Sequence, residues 1–192
     1  PQRVAIGSIY FGGEEESGPA LQFFRGLPYV EDVESASYPP CIGMSGMRIL
    51  NESGQSLFSS RYCVETENYP KMMGMTMKEG RMARERNEAV VNETFAKTMR
   101  WGDDVVGRIV HQGNTGLGDL RVVGVLKDFH TASFYVSQQP LIVRCGRFGG
   151  SIHVRLKEPF AENLRRLNTE AATAFPTKTV DFYSLEFEMQ DA

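Results

Sequence analysis

Long apolar runs are the first thing missing from this sequence. No stretch reaches the roughly 18 consecutive apolar residues that mark a transmembrane helix. Cysteine is scarce as well: Cys41, Cys63 and Cys145 are the only three. An odd number completes no disulfide framework, and the spacings fit no zinc motif. Buried or half-buried thiols, or one pair with one left over in an oxidising compartment, both remain compatible with the chain. Histidine is limited to His111, His130 and His153, none four residues apart, so no helix-borne metal pair exists. An excess of positive charge is absent too. The formal net charge is −3, which argues against a nucleic-acid surface and its basic patch. There is no leader sequence and no initiator Met before Pro1, so the chain reads as a processed or excised piece of a longer protein.

What is present is ordinary for a folded globular chain. Of 192 residues, 41% are hydrophobic and 23% charged, enough for a real core in one domain or two small lobes. The clearest signals run from Asn87 to His130. Ala89–Val91 is a short apolar strand. Asn92 follows as a helix N-cap, its side-chain oxygen able to accept an orphan backbone N–H. Glu93 suits the start of that helix, and Lys97 and Arg100 suit its end. Phe95 and Met99 share one face, and Gly102 falls where a left-handed C-cap is expected. Two apolar runs follow, Val105–Val110 and Leu120–Leu126, joined by the turn-rich HQGNTGLGD.

The flanks repeat one pattern. Arg3–Tyr10 reads as a strand, and Pro19 stands near the start of a helix carrying Leu21, Phe24 and Leu27 inward. Pro28 stops that helix, and Val30–Tyr38 reads as a second strand. Met47–Glu65 reads as a hairpin turning at Asn51–Gly54. In its second strand Phe58, Tyr62 and Val64 share one face, and Arg61, Cys63 and Glu65 the other. ENYPKMMGMTMKEGR then makes a turn or short helix. After an apolar strand at Leu141–Cys145, Ser151–Leu156 alternates as a half-buried strand. Phe160, Leu164, Leu167, Ala171 and Phe175 form the apolar stripe of one long helix. Val180 and Phe182 oppose Tyr183, Leu185 and Phe187, a change of parity that fits a bulge or a strand buried on both sides. Strand–helix–strand at each end is a split βαβ pattern. A ferredoxin-like sheet built this way sends both chain ends out of one edge and the insertion out of the other. The fold class expected is therefore α+β, with a ferredoxin-like split βαβ lobe and an inserted mixed α/β lobe.

The ordered series RYCVETENYPKMMGMTMKEGR, VVNE, FAKTMRWGD, VVGRIV, VVGVLKDFH and QQPLIV, continuous from about Arg61 to Val143, resembles the MacB-like periplasmic core domain of ABC transporter permeases, the MacB/FtsX-like family. That resemblance implies a membrane-proximal, porter-like lobe of residues 1–66 plus 146–192 and a membrane-distal lobe of residues 67–145. It implies transmembrane helices flanking both ends of this piece in the parent protein. The resemblance further implies that ATP hydrolysis belongs to a separate cytoplasmic ABC ATPase, that the domain lies on the periplasmic face of a bacterial inner membrane, and that it relays ATP-driven movement and contacts an export substrate or a periplasmic partner.

Residues with chemical potential all have a structural reading beside the functional one. Lys127-Asp128-Phe129-His130 sets a carboxylate two residues from an imidazole, yet no Ser or Cys nucleophile accompanies it, and capping at a strand end explains it. Gly113–Gly118 lacks the Lys-Ser/Thr of a phosphate loop and has no helix after it. Met72, Met73, Met75 and Met77 offer thioethers to Cu(I) but equally suit adaptable packing. Asn51 and Asn92 open N-glycosylation sequons. The sequence therefore assigns no catalytic, cofactor-binding or metal residue, and the chain reads as no enzyme. A free-standing periplasmic or secreted module binding peptide or lipid is the alternative function, and a small enzyme using Asp128 and His130 a more distant one.

Overall fold

The computed structural model describes residues 3–7, 14–36, 46–114, 116–128, 139–146 and 151–185. In chain order the elements are β1 (Val4–Gly7), α1 (Glu14–Arg25), β2 (Val30–Ala36), β3 (Gly46–Leu50), β4 (Ser56–Glu65), α2 (Tyr69–Met72), β5 (Met77–Gly80), β6 (Glu88–Asn92), α3 (Glu93–Met99), β7 (Ile109–Gln112), β8 (Leu120–Leu126), β9 (Leu141–Cys145), β10 (Ser151–Leu156), α4 (Phe160–Ala174) and β11 (Phe182–Ser184). The α+β class expected from the sequence is the class observed. Among the described residues no helix is long and apolar enough to cross a membrane.

The two ends of the chain build one antiparallel sheet in the order β11-β1-β10-β2. This is the split βαβ order. Ala5 pairs with Ser184 and Val4 with Arg155, so the start of β1 and the end of β11 share one edge. Ser151 pairs with Ala36 at the opposite edge, where the intervening chain leaves and returns. One face carries α1 and α4. Phe24, Leu167, Ala171 and Phe182 are buried there with Val33, Val154 and Leu156, and Leu21, Leu27, Phe160, Leu164 and Phe175 pack around them. The stripe read from the sequence is thus the face that α4 buries. Helix α1 begins five residues before Pro19 rather than at it, so the proline sits inside the helix.

On each outer strand one residue has both its backbone groups taken by side chains. Asn168 of α4 accepts the Phe182 N–H at 2.7 Å and donates to the Phe182 carbonyl at 2.9 Å. Arg25 of α1 donates to the Val33 carbonyl, and Asp32 accepts the Val33 N–H. These side chains, from α4, α1 and β2 itself, interrupt edges that would otherwise template pairing with another chain.

The middle of the chain forms a second sheet. β3 and β4 make the expected hairpin, and Asn51 holds its turn by accepting the Ser53 and Gln55 N–H groups. β4 runs parallel to β9, β9 antiparallel to β6, and β6 parallel to β8. β7 pairs with both β8 and β3. The strands therefore close on themselves as a six-stranded barrel, with β5 added along β8. Met47, Ile49, Ala89, Val91, Val110, Leu120, Val122 and Ile142 form one cluster, and Phe95 of α3 and Val105 join it. The opposite side of the strands carries Cys63, Val90, Val123, Leu126, Leu141 and Val143, covered by Met82 and Ala83.

Three local expectations change. The residue in the left-handed region at the end of α3 is Arg100, at φ 58°, and Gly102 follows with φ 62°. The helix stops two residues earlier than the glycine suggested. In the run Val105–Val110 only the end is strand, because Gly107 turns at φ 96° and its N–H bonds the Val122 carbonyl. Finally, β3 and β4 belong to the closed sheet, so the sheet boundary falls between Ala36 and Gly46 and not at residue 66. The expectation grouped β4 with the chain ends, but it pairs with β9 in the closed sheet.

Candidate functional site

Between the two sheets lies a junction built by eight consecutive residues, Thr66–Met73. β4 delivers the chain to it. Pro70, at the first positions of α2, needs no N–H there. The single helical turn is closed by Met72 N–H to Asn68 and Met73 N–H to Tyr69. Tyr69, Met72 and Met73 are buried against Val4 and Leu185, with Tyr183 half-buried beside them. This is the face of the four-stranded sheet turned away from α1 and α4. The alternation in Ser151–Leu156 promised a half-buried strand, but Ser151 and His153 are buried as well as Ile152 and Val154. The polar face of β10 is covered because α2 docks on it.

Polar side chains of this face engage the docked segment. The register places Asp32 opposite Arg155 and Glu34 opposite His153. Asn68 Nδ2 donates to Asp32 at 2.8 Å and to Glu34 at 3.0 Å, and Thr66 Oγ1 donates to Glu34 at 2.6 Å. Arg155 donates through Nε at 2.9 Å and through Nη2 to the Met72 carbonyl. That carbonyl ends a helical turn and has no partner within it, so the guanidinium satisfies an orphan acceptor. The Tyr69 and His153 rings lie 5.4 Å apart, tilted by 52°.

His153 is fully buried and neither ring nitrogen has a hydrogen-bond partner. Burial alone pushes its pKa down from 6.5 to about 3, because an imidazolium there would be charged and dry. The folded protein therefore holds the neutral ring, while the unfolded chain takes a proton below about 6.5. Stability is complete above that value and falls as pH drops towards 3, by at most about 1.4 kcal/mol per pH unit. Glu88 and Glu93 have lowered values through Arg81 and through the Asp128 N–H respectively, so their contribution is lost only below the usual carboxylate value of 4.5. Urea unfolding between pH 6.5 and 5 is expected to show a slope that His153→Phe abolishes. An equal slope in both proteins would exclude this origin.

The sequence profile of the MacB-like periplasmic core domain matches residues 3–166. The chain belongs to that family. No curated protein sequence matches it. Among solved structures, the periplasmic region of MacB from Actinobacillus actinomycetemcomitans shares 16% identity at a TM-score of 0.65, covering 99% of this chain and 92% of that one. A permease-protein domain from Porphyromonas gingivalis shares 18% at a TM-score of 0.59, covering 94% and 89%. The extracellular domain of the noncanonic ABC-type transporter YknZ from Gram-positive bacteria shares 13% at 0.56, covering 88% and 95%. These likenesses concern the fold. The family makes this a periplasmic domain of MacB/FtsX-like ABC permeases, whose parent proteins bring membrane helices and an ATPase.

Within this MacB-like core domain, the residues singled out in the sequence occupy structural places. Asp128 accepts the Thr94 N–H at 3.1 Å and the Thr94 hydroxyl at 2.7 Å, while its own N–H bonds Glu93. It braces the first turn of α3, the capping role expected for it. His130, Phe129, Phe187 and Cys41 lie outside the described residues. His111 meets Asp119 at 2.9 Å on the β7–β8 hairpin, in a different sheet from His153. The Gly113–Gly118 stretch, apart from Thr115, is the tip of that hairpin. Met72 and Met73 pack in the junction, Met77 in the closed sheet, and Met75 touches both clusters. Cys63 is buried and Cys145 half-buried beside the same apolar cluster. Asn92 is buried with its side-chain oxygen and nitrogen both hydrogen-bonded, so its sequon is sterically closed to a glycan in the folded chain.

A cleft of about 500 Å³ opens between β5, α3 and the loop after it. Its walls carry Lys78, Lys97 and Arg100 alongside Glu79, Glu93 and Asp103, so it favours neither sign of charge. The junction residues Thr66, Asn68, Tyr69 and Arg155 were not singled out from the sequence, and His153 was weighed only as a metal ligand. On the sheet side the one signal was polarity at alternate positions in β2 and β10, which equally describes a solvent-facing strand.

Proposed function

We propose that this domain relays ATP-driven movement from the membrane helices of its parent permease to the extracytoplasmic side. The observation that carries the reading is the strand register. Val4 and Ser184 share one edge of the four-stranded sheet, and the closed sheet is joined at the opposite edge. A domain held at both ends from one edge passes displacement of those ends to the lobe joined at the other, as a movement of one lobe against its neighbour. On this reading the four-stranded sheet is the membrane-proximal lobe and the barrel the distal one, in contact with an export substrate or a periplasmic partner. Transmembrane helices flank both ends, and a cytoplasmic ABC ATPase performs the hydrolysis. The domain's own part is mechanical, with the Thr66–Met73 junction coupling one lobe to the other.

The test locks that junction. Glu34→Cys and Asn68→Cys, in a parent transporter whose Cys41, Cys63 and Cys145 are alanine, are joined by a cleavable, short bifunctional thiol reagent. ATP turnover of the reconstituted permease–ATPase complex is expected to fall several-fold and to recover on cleavage. Unchanged turnover in the locked protein would remove the relay reading.

A further inference from the structure

The junction contains a group that the mechanical reading leaves unused. His153 is 0% exposed and has no hydrogen bond on either nitrogen. It stands on the central part of the four-stranded sheet, on the face where the Tyr69–Met72 turn docks and the Tyr69 ring packs beside it. An ordinary buried histidine donates through one nitrogen and often accepts at the other. This one is packed as though it were an aromatic hydrocarbon.

We propose that the junction is a proton-linked latch: it closes only over a neutral His153, and once it opens, a proton taken up by that ring keeps it open. The surrounding groups fit this role. On β2, Glu34 and Asp32 share the face, but their oxygens already receive Thr66, Asn68 and the Val33 N–H. Neither is hydrogen-bonded to the ring. On β10, Arg155 is two residues along, a cation that opposes a second positive charge. Beyond β1, Tyr183 is half-buried. From the covering segment come Tyr69, against the ring, and Lys71, exposed. Glu67 of that segment turns away to Arg84 at 2.6 Å, and Glu65 is buried at the end of β4. No carboxylate is therefore hydrogen-bonded to His153 to stabilise a charged ring in place.

The thermodynamic consequence has a definite sign. Closed, the ring stays neutral to about pH 3 because it is buried. Open, it meets water and titrates near the ordinary imidazole value. Below about pH 6.5 each further unit then favours the open state up to about tenfold. Above 6.5 the latch is indifferent to pH. The latch rests on the relay reading only in that the two lobes part at this junction during function. The opening equilibrium is measured without reference to transport.

Amide hydrogen exchange on this chain from pH 7.5 to 5.0, corrected for intrinsic rates, tests it. The Met72 and Met73 amides, bonded to Asn68 and Tyr69, report opening. The Val122 amide, bonded to Arg108 in the barrel, reports global unfolding. Met72 and Met73 are expected to open more readily than Val122 at every pH, and about tenfold more readily per unit below 6.5. In His153→Phe their opening is expected to be flat with pH. The latch is excluded if Met72 and Met73 open only together with Val122, or if their opening ignores pH in the natural protein, or if the variant keeps the slope. Should the variant not fold, the His153 ring resonances of the natural chain decide. Neutral-ring shifts in the closed state down to pH 5 support the latch. Titration near 6.5 while Met72 and Met73 stay protected overturns it.

Discussion

Asn92→Leu is expected to cost about 3–5 kcal/mol, a large share of a typical domain's stability. Asn92 is buried, and its Oδ1 accepts two backbone N–H groups, from Phe95 at 2.9 Å and Leu141 at 3.0 Å. Its Nδ2 donates to the Gln139 carbonyl at 2.9 Å. One side chain thus caps α3 and pins the start of β9. Leucine shares the branched outline of asparagine but is bulkier, so some crowding adds to the polar loss. The larger change is that three backbone groups, two of them buried and one half-buried, lose their partner, each worth about 1–3 kcal/mol and not fully additive. Asn92→Asp keeps the acceptor, places a negative charge at the helix start and loses only the donor. Its expected cost is about 1–2 kcal/mol. Urea unfolding of the three proteins at neutral pH orders them. A leucine variant within 1 kcal/mol of the natural protein would mean that the cap does not hold β9.

Gly124→Val is expected to be comparably severe, for a steric reason. Gly124 sits in β8 opposite Gly80 of β5 on one side and Val90 of β6 on the other. A Cβ at Gly124 would lie 2.2 Å from the Arg81 carbonyl oxygen and 2.6 Å from the Met77 methyl carbon. The methionine can move. The Arg81 carbonyl belongs to a backbone fixed by its own N–H bond to Val123, so the chain after β5 must lift. Lifting it also uncovers the cluster beneath Met82 and Ala83. The expected cost is about 3 kcal/mol or more, with loss of exchange protection at Arg81 before the rest of the barrel. Gly113→Ala makes a fair control, since its Cβ would meet only the end of the Arg48 side chain. Equal stability of the Gly124→Val protein and the natural one would contradict this crossing.

The sequence made local chemistry legible. The Asn92 cap, the Asn51 turn and the α4 stripe each depend on residues close together in the chain, and each is found; the split βαβ order was legible from the strand–helix–strand pattern repeated at the two ends. Phe182 on one face of β11 and Tyr183 and Leu185 on the other fulfil the change of parity. Long-range pairing was not legible. Arg61 pairs with Leu141 and Ile49 with Gln112, and no turn residue encodes such a partner. The closure of the barrel through β7, and with it the sheet that owns β3 and β4, follows from those pairings. The junction was hidden for a related reason. Polar residues at alternate positions of β10 look solvated until a segment more than 80 residues away, bonded to Arg155 through the Met72 carbonyl, covers them.

The relay is most directly tested by distance. Spin labels at Ala172→Cys, on the exposed side of α4, and Glu52→Cys, in the exposed β3–β4 turn, report the two lobes in the parent permease–ATPase complex in membranes. Trapping the ATPase with ATP and vanadate is expected to shift the distance distribution relative to the nucleotide-free complex. A second pair within the barrel, Glu52→Cys with Lys97→Cys, is expected to stay fixed. Identical distributions with and without nucleotide for the first pair would contradict a domain whose lobes move with the ATPase cycle.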